Sequence, residues 1–225
     1  MLERILRREL RRVADPDRAE GAQAYMKSSI PFYGIGATPL RKVCREVFAA
    51  HPLPSAAAWR KEVLRIWRGA RFREERYAAI ELTGYKLYRD YQDLDALPMY
   101  EEIIVTGAWW DYVDAVAIHR VGEHLLRRFP KPMKREMLRW SVDPDMWKRR
   151  TSILSQITFK RDTDLDLLYS CIEPSLSSKE FFLRKAIGWA LRQYAWTDPN
   201  EVRRYVREHE GELSALSRRE ALKNV

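Results

Sequence analysis

The chain has 225 residues, of which 46% are hydrophobic, so it is long enough to bury a sizeable core. Its 41 lysines and arginines outnumber its 32 aspartates and glutamates, and the resulting formal charge of +9 favours polyanionic partners over acidic proteins or neutral metabolites. The two cysteines and four histidines are scattered without the spacing of metal ligands, which excludes the usual zinc enzymes. We expect neither a metal nor a cofactor.

The chain begins with the segment MLERILRRELRRV, in which charges recur every two or three residues. Such a segment contains neither the apolar region of a signal peptide nor a membrane span. Its arginines are typical of a transit peptide, but Glu3 and Glu9 argue against that interpretation. We therefore expect a cytoplasmic monomer with reduced thiols and no contact with a membrane.

Seven segments carry helix-start signals, in which Asp, Thr, Ser or Pro stands just before an apolar helical pattern. In chain order they are ADPDRAEGAQAYM, GATPLRKV, HPLPSAAAW, DALPMYEEI, FPKPMKREML, SVDPDMWKRR and WTDPNEVRRYV. No segment alternates apolar and polar residues over a length that would indicate a strand. These signals, with only 9 glycines and 11 prolines, predict an all-α fold made of many short helices.

Five helical segments recur along the chain at a nearly constant spacing. Aligned on Ile80, Val116, Ile153, Ile187 and Leu222, they follow one another in steps of 36, 37, 34 and 35 residues. A period of about 35 to 45 residues with two helices per unit is typical of an α-solenoid of HEAT-like or armadillo-like repeats. We therefore predict one HEAT-like repeat domain over residues 1–225, curved so that a concave basic groove faces a long ligand.

Two successive repeats each place a charge within an apolar stripe. In VTGAWWDYVDAV the stripe that begins at Trp110 contains Asp114, and in DMWKRRTSILSQI the stripe that begins at Trp147 contains Arg150. Burying a lone carboxylate costs several kcal/mol unless it is paired. Asp114 and Arg150 occupy nearly equivalent positions, so they form either a structural ion pair between neighbouring repeats or part of a working site.

The segment SSKEFFLRKAIGWALRQYAW, residues 177–196, carries the opposite anomaly. On a helical projection, one side forms the core stripe, while the other side carries Lys185, Trp189, Arg192 and Trp196. Trp189 either packs against a neighbouring repeat or forms an aromatic platform between two cations. Nucleic-acid-binding surfaces combine stacking and phosphate attraction in the latter way.

These motifs, together with AYMKSSIPFYGI and LSRREALKNV, closely resemble the AlkD family of DNA alkylation repair glycosylases from about residue 20 onward. The resemblance implies HEAT-like repeats that bind duplex DNA in a concave basic groove. It also implies excision of positively charged purines, such as 3-methyladenine and 7-methylguanine, by a monofunctional glycosylase. The partner would be double-stranded DNA that contains alkylated purines.

The resemblance also assigns roles to individual residues. The motif WWDxVD places the catalytic residues at Trp110 and Asp114, and KAIGW adds Trp189. The corresponding arginine is Arg150 and the tyrosine before MK is Tyr25, both assigned to DNA binding, to which the projection adds Lys185 and Arg192. Two other functions stay open on sequence grounds: a non-catalytic solenoid that binds DNA lesions, and a protein-binding scaffold, against which the net charge argues.

Overall fold

The computed structural model describes residues 2–225, and every regular element within that range is helical. The α-helices are α1 (Leu2–Arg12), α2 (Pro16–Met26), α3 (Ala37–Ala50), α4 (Ala56–Gly69), α5 (Arg73–Thr83), α6 (Leu97–Gly107), α7 (Trp110–Val116), α8 (Pro130–Ser141), α9 (Met146–Leu154), α10 (Leu165–Ile172), α11 (Phe181–Ala195), α12 (Pro199–Glu208) and α13 (Ala215–Ala221). Short 3₁₀ turns cover Lys86–Tyr91, Leu94–Ala96, Lys160–Asp162, Glu173–Ser175 and Leu222–Asn224, and a π-helical segment covers Ala117–Leu126. The predicted all-α fold is confirmed.

The helix-start signals correspond to helices that the structure contains. The seven predicted starts coincide with α2, α3, α4, α6, α8, α9 and α12. Side chains cap several of these and other helices by accepting a hydrogen bond from a first-turn amide, as N-cap residues do: Asp15, Ser55, Asp145, Asp164, Asp198 and Ser214. Local capping chemistry therefore marks the start of six of these helices.

The chain divides into two compact units, the first ending at Met99 and the second running from Tyr100 to Val225. The expectation of one domain over residues 1–225 stays a prediction. None of the described helices has the length and apolar character that crossing a membrane would require.

In the first unit, α1, α3, α4 and α5 pack on one another around a core that includes two buried tryptophans, Trp59 and Trp67. Helix α1 contributes Leu2, Leu6 and Leu10, which recur every four residues and are all buried. The charged residues between them face outward or form ion pairs. The start of the chain is thus an amphipathic helix that belongs to the core.

Two buried carboxylates of α5 hold the loop between α2 and α3. Glu74 accepts hydrogen bonds from the backbone amides of Tyr33, Gly34 and Ile35, at 2.8 to 3.0 Å. Burial alone would raise the pKa of Glu75, but its hydrogen bonds from Arg7, the Arg71 amide and the Tyr33 hydroxyl outweigh burial and lower it. Both carboxylates are therefore structural.

In the second unit, helices α7, α9, α11 and α13 form one row, in which each member packs against the next. Helices α8 and α10 pack on one another and on α9, and α12 packs on α11. The register positions Val116, Ile153 and Ile187 lie in α7, α9 and α11, and Leu222 follows α13 directly. The predicted period therefore corresponds to successive members of this row, as expected for a helical repeat.

The π-helical segment after α7 makes a close approach to the end of α9. A Cβ placed on Gly122 would lie 2.0 Å from the carbonyl oxygen of Ser155, which no side chain tolerates without movement of one backbone. In contrast, a Cβ on Gly21, in the exposed part of α2, would have no atom within 4 Å. Of these two glycines, packing requires Gly122 and not Gly21.

These two glycines give a matched stability test. We expect Gly122→Ala to lower the free energy of unfolding by about 1–3 kcal/mol because one helix must shift away from the other. Gly21→Ala should raise it by about 0.5–1 kcal/mol, because alanine has the higher helix propensity. Urea unfolding followed by circular dichroism measures both, and shifts in the same direction would contradict the close contact at Gly122.

Candidate functional site

The site begins at the turn between α6 and α7. Ala108 adopts a left-handed conformation with φ of 43°, which is unfavourable for a residue with a Cβ. Trp109 then takes the extended N-cap position, and Trp110 is the first residue of α7. Asp114 follows Trp110 by one helical turn, so both side chains lie on one face of α7.

Asp114 forms a bidentate ion pair with Arg150 of α9. The Nε and Nη2 atoms of Arg150 donate to the two carboxylate oxygens of Asp114, each at 2.7 Å. The side chain of Asp114 is 13% exposed and that of Arg150 is 5% exposed, so the pair is largely shielded from water. Burial raises the pKa of the Asp114 carboxyl, an effect that the hydrogen bonds and charge of Arg150 oppose. The sequence left open whether Asp114 and Arg150 form an ion pair between neighbouring repeats or part of a working site. The structure contains the ion pair.

Phe182, in the first turn of α11, completes this network. Its carbonyl oxygen accepts a hydrogen bond from Nη1 of Arg150 at 2.6 Å. Its ring lies edge-on to that of Trp109, with centroids 5.5 Å apart, and 5.0 Å from that of Trp147. The guanidinium of Arg150 therefore joins α7, α9 and α11 beneath a cluster of aromatic rings.

No sequence motif pointed to a role for Phe182. The available signal was the pair Phe181 and Phe182 directly before Leu183, the first residue of the core stripe. Three successive apolar residues cannot all face one side of a helix, so one phenylalanine had to point away from the core. Phe181 is in fact exposed, and its ring lies 5.4 Å from that of Phe182.

The predicted cations of α11 have a different partner. Lys185 and Arg192 both contact the carboxylate of Glu220 in α13, at 3.3 Å and 2.6 Å. Trp189 lies between them on α11 and is half-buried, as is Trp110 on α7. Tyr25 belongs to α2 in the first unit and is 77% exposed. The catalytic and DNA-binding roles of these residues stay predictions.

Neither cysteine has the lowered pKa of a reactive thiol. Cys44 and Cys171 are both free and buried, and burial raises the pKa of the Cys171 thiol to about 12. Burial likewise raises the pKa of Cys44. Over residues 2–225, no three His, Cys, Asp or Glu side chains are grouped as metal ligands would be.

The sequence profile of the DNA alkylation repair enzyme family matches residues 6–225. The chain belongs to the DNA alkylation repair enzyme family. A solved structure described as a predicted DNA alkylation repair enzyme from Enterococcus faecalis is similar, with 28% sequence identity and a TM-score of 0.84. The similarity covers 93% of this chain and 95% of the other. A comparison with curated proteins found no match.

For a DNA alkylation repair enzyme, the network at Arg150 supplies a fixed carboxylate on a helix face that also carries a half-buried tryptophan. A guanidinium bonded on three sides cannot rotate without losing hydrogen bonds, so the position of the Asp114 carboxylate is also fixed. Electrostatic catalysis requires such preorganisation, because a group that must reorient during the reaction stabilises less.

Substitutions at Asp114 should show how much the fold depends on the pair. Asp114→Asn keeps one oxygen acceptor for Arg150, so we expect a loss of about 1–3 kcal/mol in unfolding free energy. Asp114→Ala leaves a nearly buried guanidinium without that partner and should cost about 3–5 kcal/mol. Asp166→Ala, at an exposed position in the first turn of α10, should cost no more than about 1 kcal/mol.

Chemical denaturation of the three variants measures these values. A loss for Asp114→Ala no larger than that for Asp166→Ala would show that the pair contributes nothing to stability. Total stabilities of about 5–15 kcal/mol imply that Asp114→Asn stays folded, which makes it the better variant for activity assays.

Proposed function

We propose that this chain is a monofunctional DNA glycosylase that releases positively charged alkylated purines, such as 3-methyladenine and 7-methylguanine, from duplex DNA. The observation that carries the proposal is the fixed, largely buried carboxylate of Asp114, one turn from Trp110, in a member of a DNA alkylation repair enzyme family. Excision of the damaged base is the first step of base excision repair.

Charge and fold support duplex DNA as the partner. The net charge of +9 favours a polyanion, and the repeated helix pairs of the second unit fit a HEAT-like solenoid. We propose that the helices form one curved domain whose concave basic groove holds the duplex, and that the protein acts as a monomer.

The proposed reaction needs no general acid. A purine alkylated at N3 or N7 is already positive, so its bond to C1′ of the sugar breaks with both electrons moving onto the base, which leaves neutral. The sugar becomes positive as the bond lengthens, and water then bonds to C1′ and loses a proton to Asp114 or to solvent. A carboxylate beside C1′ stabilises the charge where it develops.

Arg150 would keep Asp114 suited to this task. A carboxylate has about four acceptor positions on its two oxygens, and Arg150 uses one on each oxygen. The remaining positions could hold the attacking water or face the sugar. Shielding from solvent strengthens either interaction, because the effective dielectric constant is lower there than in water.

The other predicted residues would bind the substrate. Trp110 and Trp189 would face the cationic nucleotide, and indole gives up to about 2 kcal/mol of cation–π attraction when desolvated. Lys185 and Arg192 would bind phosphates along the strand, and Tyr25 would contact DNA from the first unit. Arg150 is also predicted to bind a DNA phosphate. In the free protein its guanidinium is bound to Asp114 and Phe182, so a phosphate would have to share it.

One observation favours a second candidate, a protein that binds lesions without cleaving them. The bidentate pair neutralises Asp114 in the free protein, as a purely structural ion pair would. A pure binder gains nothing from a carboxylate facing DNA, however, and Arg150 alone would bind a phosphate better. We therefore place the glycosylase first.

The deciding experiment is release of free 7-methylguanine from a methylated duplex under single-turnover conditions. We expect the wild type to release it and Asp114→Asn to lose most of the rate while keeping its affinity for the duplex, because the amide carries no charge to stabilise the sugar cation. Asp166→Asn is the matched control, since it makes the same change at an exposed position in the first turn of α10 and should retain activity. Binding without release by the wild type would instead support the lesion-binding protein.

The pH dependence of release gives an independent check. Asp114 must be ionised to act, and its pKa is raised from the ordinary 3.8 by burial. The rate should therefore fall as the pH falls through a value above 3.8. Release by Asp114→Asn, measured at each pH, supplies the acid-catalysed background. A rate that stays constant down to pH values below 3.8 would exclude Asp114 as the essential carboxylate.

A further inference from the structure

Glu220 lies at the centre of a cluster of three cations in the second unit. Its Oε2 accepts a hydrogen bond from Nη1 of Arg192 at 2.6 Å. Its Oε1 accepts one from Nζ of Lys223 at 2.7 Å and lies 3.3 Å from Nζ of Lys185. Two oxygens of one carboxylate thus face three positive side chains, which leaves the cluster with an excess of positive charge.

The backbone packing of α13 on α11 fixes Glu220 in this position. A Cβ on Gly188 would lie 2.5 Å from Cβ of Glu220 and 2.9 Å from the carbonyl oxygen of Ser217, so the two helices touch where α11 has no side chain. The hydroxyl of Ser217 also donates to the carbonyl oxygen of Arg184 at 3.0 Å. Glu220 itself is only 4% exposed.

The cations that Glu220 binds remain accessible. The Lys185 side chain is 37% exposed and that of Arg192 is 26% exposed, and they lie on the same face of α11, on either side of Trp189. Each has more donors than its contact with Glu220 uses. A DNA phosphate diester has two non-bridging oxygens, as a carboxylate has two oxygens. Glu220 therefore makes the contacts with Lys185 and Arg192 that a DNA phosphate would make.

The surroundings of Glu220 favour the ionised form of its carboxyl group. Hydrogen bonds from Lys223 and Lys185 and the charges of both lysines lower the pKa of Glu220, so it is ionised at neutral pH. It therefore competes with any other anion for the same cations.

From these contacts we infer that Glu220 is an internal competitor of the DNA phosphate for Lys185 and Arg192, and that it limits how tightly the second unit binds undamaged duplex. This inference rests on the proposed function, since it assumes that the two cations face DNA. A repair enzyme that examines many undamaged sites benefits from weak nonspecific binding, because tight binding would hold it away from lesions.

The test compares Glu220→Gln with Glu212→Gln in binding an undamaged duplex at several salt concentrations. Glu212 is an exposed glutamate that pairs with His209, so its replacement makes the same change in net charge at another place. We expect Glu220→Gln to bind about two- to fivefold more tightly than Glu212→Gln, the contribution of one partly exposed ion pair. The slope of log affinity against log salt should steepen by about one.

Two further variants test whether misfolding or the change in net charge alone could explain the result. Glu220→Asp keeps the charge but is one methylene shorter, so it should release Arg192 and bind DNA more tightly than the wild type. Adding Arg192→Ala to Glu220→Gln should remove most of the gain, because the released side chain is then absent. Circular dichroism establishes that each variant is folded.

Three results would overturn the inference. Equal affinities of Glu220→Gln and Glu212→Gln for DNA would show that the change in net charge alone explains the tighter binding. Weaker binding by both Glu220 variants would make Glu220 a residue that positions the cations instead. A gain in affinity that persists when Arg192→Ala is added would show that the gain does not come from Arg192.

Base release, measured in parallel, separates these outcomes from failure of the proposed function. A wild type that binds DNA with a salt dependence but releases no base would disprove the glycosylase and would leave the competition between Glu220 and the phosphate intact.

Discussion

The guanidinium of Arg150 is the constraint on which the second unit depends. It is almost fully removed from water, and its hydrogen bonds go to a carboxylate on α7 and a backbone carbonyl on α11. A buried charge of this kind requires partners in fixed positions, because each lost hydrogen bond leaves a desolvated donor. The same requirement that holds α7, α9 and α11 together therefore also fixes the Asp114 carboxylate. Fold and candidate site are stabilised by one interaction.

Two ion-pair systems join neighbouring members of this row of helices, and their burial suits them to different tasks. The pair of Asp114 and Arg150 is shielded and bidentate, so it is suited to a preorganised electrostatic role. The cluster at Glu220 leaves Lys185 and Arg192 partly exposed and is rich in positive charge, so it can respond to an anion. Aromatic rings lie beside the first system, and Trp189 lies within the second.

Much of the fold could be predicted from sequence because it follows from local rules. Capping residues such as Asp145 and Asp198 act on amides within their own first turn, so their meaning does not depend on the rest of the chain. The spacing of Val116, Ile153 and Ile187 reflects helices that occupy equivalent places in one row. The site was partly visible for a related reason: a carboxylate within an apolar stripe, as at Asp114, is costly enough to require an explanation.

The sequence by itself determined the helices, their period and the anomalous charges at Asp114 and Arg150, since periodicity and composition depend only on neighbours along the chain. Only the tertiary structure decided what those charges contact. The carbonyl oxygen of Phe182 is a backbone group that carries no sequence signal, and it became an acceptor because α11 packs against α9. The carboxylate of Glu220 met Arg192 because a glycine at position 188 lets α13 approach α11 closely. Contacts between residues about thirty positions apart depend on how helices dock, which no local pattern contains.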